Sequence, residues 1–217
     1  MGLRATLRKQ CRRFGWRIPN WALDEYTAPM RRMARLLSKN DVIIDLGAHI
    51  GNASIEFSHY AREVYAFEPN NTVFAELTAR TKPYRNIRLF NNAVSDKADQ
   101  MDLYFEEGKP DRFYEGSTII SGKSNVTYAN HHVVEVMGIV DVLDMIKGDS
   151  IVIKMDIEGA EYLVLDAILT SSHLDRIKKI YVECHADRIE GLAEAKEKTL
   201  AAAAAAGFSE KLDFTWP

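Results

Sequence analysis

Two short segments place an acidic residue and glycines directly after an apolar run that predicts a strand. In residues 43–54, Asp45 ends the apolar run, and Gly47 and Gly51 follow in a tight turn. Residues 154–165 repeat the arrangement with the sequence KMDIEGAEYLVL. Glycine turns that lead from a buried strand into a helix are typical of nucleotide sites, because the backbone can approach the ligand closely there. The two segments favour a site for a nucleotide-type ligand.

A third acid lies where ribose recognition is expected. Glu68 ends the next apolar stretch, residues 64–67, one strand-helix-strand unit after the first turn. One carboxylate can accept hydrogen bonds from both hydroxyls of a ribose, and such charge-assisted bonds are strong. The spacing therefore predicts a ligand that contains adenosine.

The glycine turn indicates a ligand without phosphates. A dinucleotide site needs a bare glycine in the middle of GxGxxG, and His49 occupies that position in the turn GAHIG. The sequence also has no GxxxxGKS phosphate loop. S-adenosylmethionine meets these conditions, since it carries an adenosine, an amino-acid tail and a sulfonium. The competing interpretations are a nicotinamide oxidoreductase, against which His49 counts, and an ordinary strand-to-helix turn whose glycines serve steric needs alone.

Six segments in a fixed order carry a resemblance to a known family. They read IDLGAHIGN, AFEPN, NAVSD, STI, KMDIEGAE and ECH, at residues 44–52, 66–70, 92–96, 117–119, 154–161 and 183–185. Each segment is weak evidence by itself, whereas their order and spacing together are specific. The chain resembles FkbM-type S-adenosylmethionine-dependent methyltransferases over approximately residues 41–208. It departs from the family at His49, where asparagine is usual, and at Asp99, where glycine is usual.

The resemblance implies a class I, Rossmann-like methyltransferase that binds S-adenosylmethionine. The residues expected to contact the cofactor are Asp45, Gly47, Ala48, His49, Gly51, Asn52, Glu68, Ala93 and Asp96.

Continuous apolar runs predict an α/β fold, with a doubly wound, mostly parallel sheet and helices on both faces. The predicted strands are residues 41–46, 63–67, 87–91, 151–153, 180–182 and 211–216. The predicted helices are residues 30–38, 52–60, 71–81, 140–147, 159–170 and 189–206. Residues 1–40 are interpreted as a basic helical extension. Residues 41–217 are interpreted as one cofactor-binding domain with a β-rich, substrate-facing insertion at about residues 101–140.

Five acids lie at or just past the carboxyl ends of predicted strands: Asp45, Glu68, Asp96, Asp156 and Glu183. In an open α/β sheet these strand ends face one crevice. The sequence therefore places cofactor and acceptor at this edge.

The catalytic candidates come from the last two motifs: Asp156, Glu158, His185 and Lys154. A hydroxyl acceptor must lose a proton, and a histidine near neutral pH or a carboxylate can serve as general base. Lys154 precedes Asp156 by two residues and is expected to pair with an acid on the same side of the strand. For Asp156 and Glu158, helix capping and charge pairing remain the alternative. Glu161 is expected to act as a helix-capping carboxylate rather than in catalysis.

A divalent cation is compatible with the sequence but is not required by it. Asp156, Glu183 and His185 offer the oxygen and imidazole ligands that such an ion accepts. Ser117 and Thr118 are candidate hydroxyl partners for a polar acceptor.

These features lead to the hypothesis of an O-methyltransferase that acts on a hydroxyl of a sugar, glycolipid or secondary metabolite, an acceptor class that the resemblance supplies. The absence of an NPPY motif argues against methylation of nucleic-acid bases. The alternatives are a methyltransferase with a nitrogen acceptor and a non-catalytic cofactor-binding scaffold in glycan synthesis.

The composition and charge of the chain indicate its compartment and its location in the cell. The chain has 217 residues, a formal net charge of −3 and only two cysteines, Cys11 and Cys184, which indicates a reducing compartment. No uncharged run approaches the roughly 20 residues that span a bilayer, so a cytoplasmic location is expected. Residues 1–17 carry six basic residues and no acid, which suits either peripheral contact with an anionic membrane or a solvated helix face. The oligomeric state is left open.

Overall fold

The computed structural model describes residues 27–106, 118–120, 126–186, 189 and 191–216. Residues 1–26 of the predicted basic extension and the centre of the predicted insertion, including Ser117, lie outside these residues. None of the helices described combines the length and the apolar character needed to cross a bilayer.

A six-stranded, wholly parallel sheet forms the centre of the molecule. Its strands are β1 (Val42–Leu46), β2 (Glu63–Phe67), β3 (Ile87–Phe90), β7 (Ile151–Met155), β8 (Ile177–Glu183) and β9 (Leu212–Trp216). They lie in the order β3-β2-β1-β7-β8-β9. The order reverses between β1 and β7, and ligands bind at such a reversal in open α/β sheets.

Within the described residues, six α-helices accompany the sheet: α1 (Thr27–Arg35), α2 (Asn52–Ser58), α3 (Asn71–Thr81), α4 (Ile139–Met145), α5 (Glu161–Leu169) and α6 (Leu192–Ala205). Helices α4, α5 and α6 pack on one face, where residues such as Ile44 and Ile153 are fully buried. The opposite face, with Ile43 and Val152, is covered by α1 and α2, while α3 packs nearby through Leu77. Alternate residues of each strand therefore enter opposite cores, which explains the continuous apolar runs. The predicted doubly wound fold is confirmed.

A second sheet of three strands comes from the chain between β3 and α4. Strand β6 (Val126–Gly138) lies between β4 (Ala93–Ser95), with which it is parallel, and β5 (Asp99–Glu106), with which it is antiparallel. The predicted extended character of residues 101–140 thus corresponds to an ordered sheet that begins earlier, at Ala93. Helix α4 begins at Ile139, one residue before the helix predicted at residues 140–147, because Ile139 is buried against the main core.

Candidate active site

The first glycine loop is held against the carboxyl ends of β2 and β7. The backbone amides of Gly47 and Ala48 both donate to the carbonyl of Phe67, at 3.1 and 2.9 Å. Gly47 has φ of +74°, and a Cβ atom added to it would lie 1.8 Å from the carbonyl oxygen of Asp156. Only glycine is compatible with both the left-handed backbone and this approach. The loop after β1 and the loop after β7 are therefore in direct contact.

Glu68 lies just past β2 and is buried beside this loop. Its Oε2 accepts from the amide of His49 at 2.9 Å, and its Oε1 accepts from the amide of Asn70 at 2.9 Å. Burial raises the pKa of the Glu68 carboxyl to about 7, although the two amides and the charge of Lys154 act in the opposite direction. A carboxylate has about four lone-pair sites, so two remain for the hydroxyls of a ribose. The position fits the role predicted from the sequence.

The remaining residues of the first motif lie at the start of α2. His49 adopts a left-handed φ of 49°, and Gly51 packs so closely on Leu77 that a Cβ would approach its Cδ1 to 2.7 Å. Arg80 fixes the loop from the opposite side, because its guanidinium donates to the carbonyl of Ile50 and to Oδ1 of Asn52. No pattern in the sequence indicated this contribution of Arg80.

Lys154 connects the cofactor loop with the second motif. Its fully buried Nζ donates to the carbonyl of Gly47 at 2.7 Å and lies 3.3 Å from Oδ1 of Asp45 and 3.5 Å from Oδ2 of Asp156. Asp45 in turn accepts from Ser54 Oγ at 2.5 Å, which ties β1 to α2. The predicted pairing of Lys154 with an acid is confirmed. Two carbonyl contacts and two ion pairs make this lysine a structural link between the two motifs.

Three carboxylates and one imidazole meet at the ends of β7 and β8. The side chain of His185 is fully buried, and its Nδ1 lies 2.8 Å from Glu161 Oε1. Its Nε2 lies 3.2 Å from Glu158 Oε2 and 3.5 Å from Glu183 Oε1. Asp156, Glu158 and His185 each offer one possible metal-ligand atom, and these three atoms lie within 4.8 Å of one another. We call Asp156, Glu158, Glu183 and His185 the acid–histidine cluster.

The negative charge of this cluster shifts two ionisation equilibria. Burial lowers the pKa of His185, but the hydrogen bond and the charges of the surrounding glutamates outweigh it and raise the pKa to about 9. Burial and the neighbouring charge of Asp156 raise the pKa of Glu183 to about 7. The raised pKa favours the protonated imidazole at neutral pH. The role of His185 as a base stays a prediction, and the acids around the ring, which were not apparent from the sequence, count against it.

Glu161 lies in the first turn of α5, but its side chain binds the loop before the helix and does not cap the helix as the sequence predicted. Its carboxylate accepts from the amides of Gly159 and Ile157, at distances between 2.9 and 3.2 Å, just before the start of α5. The same Oε1 receives the Nδ1 hydrogen of His185. This contact fixes the orientation of the ring and directs Nε2 towards the other acids.

The backbone at Glu158 adopts an uncommon left-handed conformation, with φ of 56°. Thr118, from the segment that pairs with the second sheet, donates its buried hydroxyl to the carbonyl of Glu158 at 2.6 Å. The second sheet is thus hydrogen-bonded to the turn that carries Glu158. Thr118 acts here as a positioning residue, which differs from the predicted contact with an acceptor.

Asp96 and Ala93 lie in the second sheet and not on the edge of the main sheet. Ala93 is buried in β4, and Asp96 is exposed just past that strand, where it accepts from Ser95 Oγ. The expectation that Asp96 shares the strand-end edge with the other four acids is wrong, because β4 pairs with β6. Asn91 is the residue that approaches the cofactor loop instead, since its amide donates to the carbonyl of Glu68 at 2.9 Å.

Comparison with known proteins finds similarity to one curated sequence and to several solved structures. The 2-O-methyltransferase NoeI of Sinorhizobium fredii is 30% identical over 115 residues, which is 51% of this chain and 46% of that protein. An rRNA methylase from Streptococcus thermophilus matches with a TM-score of 0.45 at 10% identity, over 82% of this chain and 80% of that one. A precorrin-6y C5,15-methyltransferase from Geobacter metallireducens matches with a TM-score of 0.43 at 16% identity, over 83% and 69%.

The family assignment follows from the sequence match and agrees with the site. The glycine loop, Glu68 and the second motif all fall within the matched segment. A model of the methyltransferase FkbM domain matches residues 45–209, and the chain therefore belongs to the FkbM family of S-adenosylmethionine-dependent methyltransferases.

Proposed function

We propose that this protein transfers the methyl group of S-adenosylmethionine to a hydroxyl of a sugar, glycolipid or secondary metabolite. The name of its relative NoeI, a 2-O-methyltransferase, supports an oxygen acceptor. The acid–histidine cluster supports it too, because a hydroxyl must give up a proton and carboxylates are suited to receive it.

The cofactor is held, in this proposal, by the residues around the first glycine loop. Glu68 accepts from the ribose hydroxyls with the lone pairs that His49 and Asn70 leave available. We assign the amino-acid tail of the cofactor to the turn at Gly47, which lies against the loop after β7. When bound, S-adenosylmethionine supplies an activated methyl group on its sulfonium.

The acceptor hydroxyl lies, in this proposal, beside the acid–histidine cluster. As the carbon–oxygen bond forms and the carbon–sulfur bond breaks, a carboxylate of the cluster receives the hydroxyl proton, so the products are a methyl ether and S-adenosylhomocysteine. Lys154 keeps Asp156 in place and offsets part of the negative charge. Its amino group is engaged by backbone carbonyls, so we assign it a positioning role.

One observation carries this proposal: the buried Nζ of Lys154 joins the two halves of the site. It is 2.7 Å from the carbonyl oxygen of Gly47 and 3.5 Å from Oδ2 of Asp156. The cofactor loop and the acid–histidine cluster are therefore next to each other. Such closeness is what in-line transfer between a bound donor and an acceptor needs, because most of its rate gain comes from positioning.

The test is transfer of an isotope-labelled methyl group from S-adenosylmethionine to a panel of oligosaccharides, glycolipids, phenols and amines, with products identified by mass spectrometry and NMR. We expect label on oxygen. Glu158→Gln should lower kcat at least 100-fold, in the range of a lost general base, while cofactor binding stays intact. Asp144→Asn is a matched control, because Asp144 is an exposed carboxylate that pairs with His173 outside the site.

Two results would overturn the proposal. Label found only on nitrogen would establish a nitrogen acceptor instead. Cofactor binding without transfer to any compound, and unchanged cellular methylation in the Glu158→Gln strain, would favour the scaffold role.

A further inference from the structure

We propose that Asp156, Glu158 and His185 form a binding site for one divalent first-row cation, with Mn²⁺ as the best-suited probe. The three side chains come from the loop after β7 and the residues just past β8. Their ligand atoms lie within 4.8 Å of one another. Ligands at opposite positions around an ion with bonds of about 2.1 to 2.3 Å are separated by roughly 4.2 to 4.6 Å, so a small movement of side chains completes the site.

The state of the imidazole is an independent observation that points to a ligand. His185 is fully buried, and its Nδ1 hydrogen is directed to the carboxylate of Glu161. Its Nε2 has no hydrogen-bond partner among the described residues, although it lies near Glu158 and Glu183. A histidine held by a carboxylate on one nitrogen, with the other facing a group of acids, is the usual arrangement around a bound metal.

The charge of the region favours a cation in the same place. Lys154 contacts Asp156, and His185 contacts Glu158, Glu161 and Glu183. The field that favours a proton on Nε2 equally favours a metal ion there. Two carboxylate oxygens and one imidazole nitrogen match Mn²⁺ and its first-row neighbours better than Mg²⁺, which prefers oxygen alone.

Two features of the fold prepare the site for this role. Thr118 holds the left-handed turn that aims Glu158, and Lys154 holds Asp156 from the opposite side. Glu183 remains beside the site as a carboxylate that can receive a proton. A cation here would stabilise negative charge on the acceptor oxygen as its proton leaves, and this role, unlike the binding itself, rests on the proposed function.

The first experiment measures binding on the full chain after dialysis against a chelator. Free Mn²⁺ gives a six-line paramagnetic resonance spectrum whose amplitude falls on binding, and calorimetry gives the stoichiometry. We expect one Mn²⁺ per chain and at least tenfold weaker binding in Glu158→Gln and in Asp156→Asn, with unchanged binding in Asp144→Asn. Far-ultraviolet circular dichroism verifies that each variant is folded.

The second measurement needs no variant and so does not depend on folding of a mutant. Pulsed resonance on Mn²⁺ bound to the wild-type chain should show coupling to one nitrogen, that of His185. Absence of stoichiometric binding, unchanged affinity in both carboxylate variants, or bound Mn²⁺ without nitrogen coupling would each overturn the inference.

Failure of the cation site can be distinguished from failure of the proposed function. Methyl transfer to a hydroxyl by protein that does not bind Mn²⁺ would refute the cation site alone. Stoichiometric Mn²⁺ binding through His185 without transfer to any hydroxyl would support the cation site and refute the oxygen acceptor.

Discussion

Gly47 and Asp156 belong to different strands, yet the position of a Cβ on Gly47 lies 1.8 Å from the carbonyl oxygen of Asp156. The contact joins the loop that we assign to the cofactor with the loop that carries the acids. It also makes this glycine the most restricted position of the site.

Replacement of Gly47 by alanine should therefore displace one loop from the other. We expect cofactor affinity to fall at least tenfold in calorimetry, together with a lower free energy of unfolding in urea. Gly191→Ala separates the two causes, because Gly191 has a similar φ of +82° but nothing within 4 Å of the added carbon. It should lose only the ~1 kcal/mol of a left-handed backbone. Equal losses in the two variants would refute the importance of the loop contact.

Cofactor affinity should depend on pH through Glu68. The ionised carboxylate accepts from ribose, and its pKa is raised to about 7 by burial. Affinity should therefore fall about tenfold per pH unit below 7 and be constant above about 8. The Glu68→Gln variant should bind weakly at every pH, and a wild-type affinity that is flat between pH 5.5 and 8.5 would contradict the assignment.

The ionisation of Glu68 should also affect the stability of the protein without cofactor. Its folded pKa of about 7 lies above the ordinary 4.5, so the folded chain holds the proton more tightly than the unfolded chain does. This contribution to the free energy of unfolding is complete below pH 4.5 and is lost as the pH rises towards 7. Urea titrations of the wild type and of Glu68→Gln across this window should show the difference.

Lys154→Met should be among the most destabilising single changes in the domain. It would leave the buried Asp45 and the half-buried Asp156 without their cation, for which we expect a loss of about 3–5 kcal/mol. The double variant Asp45→Asn with Lys154→Met should lose less than the sum of the two single losses. If urea denaturation gave a loss for the double variant equal to the sum of the two single losses, Asp45 and Lys154 would not be energetically coupled.

Thr118→Val tests the link between the second sheet and the acid–histidine cluster. The change keeps the shape but removes the hydroxyl that donates to Glu158 and accepts from the amide of Ile120. We expect a loss of about 1–3 kcal/mol in the free energy of unfolding, because two partly buried backbone groups lose their partner, and a lower kcat. Thr118→Ser retains the hydroxyl and should retain kcat. Equal kcat values in the Thr118→Val and Thr118→Ser variants would show that Thr118 contributes only to packing.

Much of the main sheet could be predicted from local patterns. The strand predicted at residues 63–67 and the helix predicted at residues 71–81 coincide with β2 and α3. These elements are defined by short apolar runs and by Asn70, whose side chain caps α3 through the amides of Thr72 and Val73. Such signals act between residues that are close in sequence.

The second sheet could not be predicted in the same way, because its pairing connects distant segments. Ala93 pairs with Val136, and three residues cannot indicate so remote a partner. For this reason Asp96 was expected on the wrong edge. The cluster around His185 shows the same limit. The sequence identified its members as candidates, but only the fold shows that Glu161 binds one ring nitrogen while Glu158 and Glu183 surround the other.

The hydrogen bond from Thr118 to Glu158 joins the second sheet to the loop that carries the acids. Every strand of the second sheet comes from the stretch of chain between β3 and α4, whereas the loops assigned to the donor and to the acids come from β1, β2 and β7. Substitutions within this stretch can therefore alter the second sheet while the loops after β1 and β2 keep their residues. New acceptor preferences would then need little more than a retained hydroxyl at the junction.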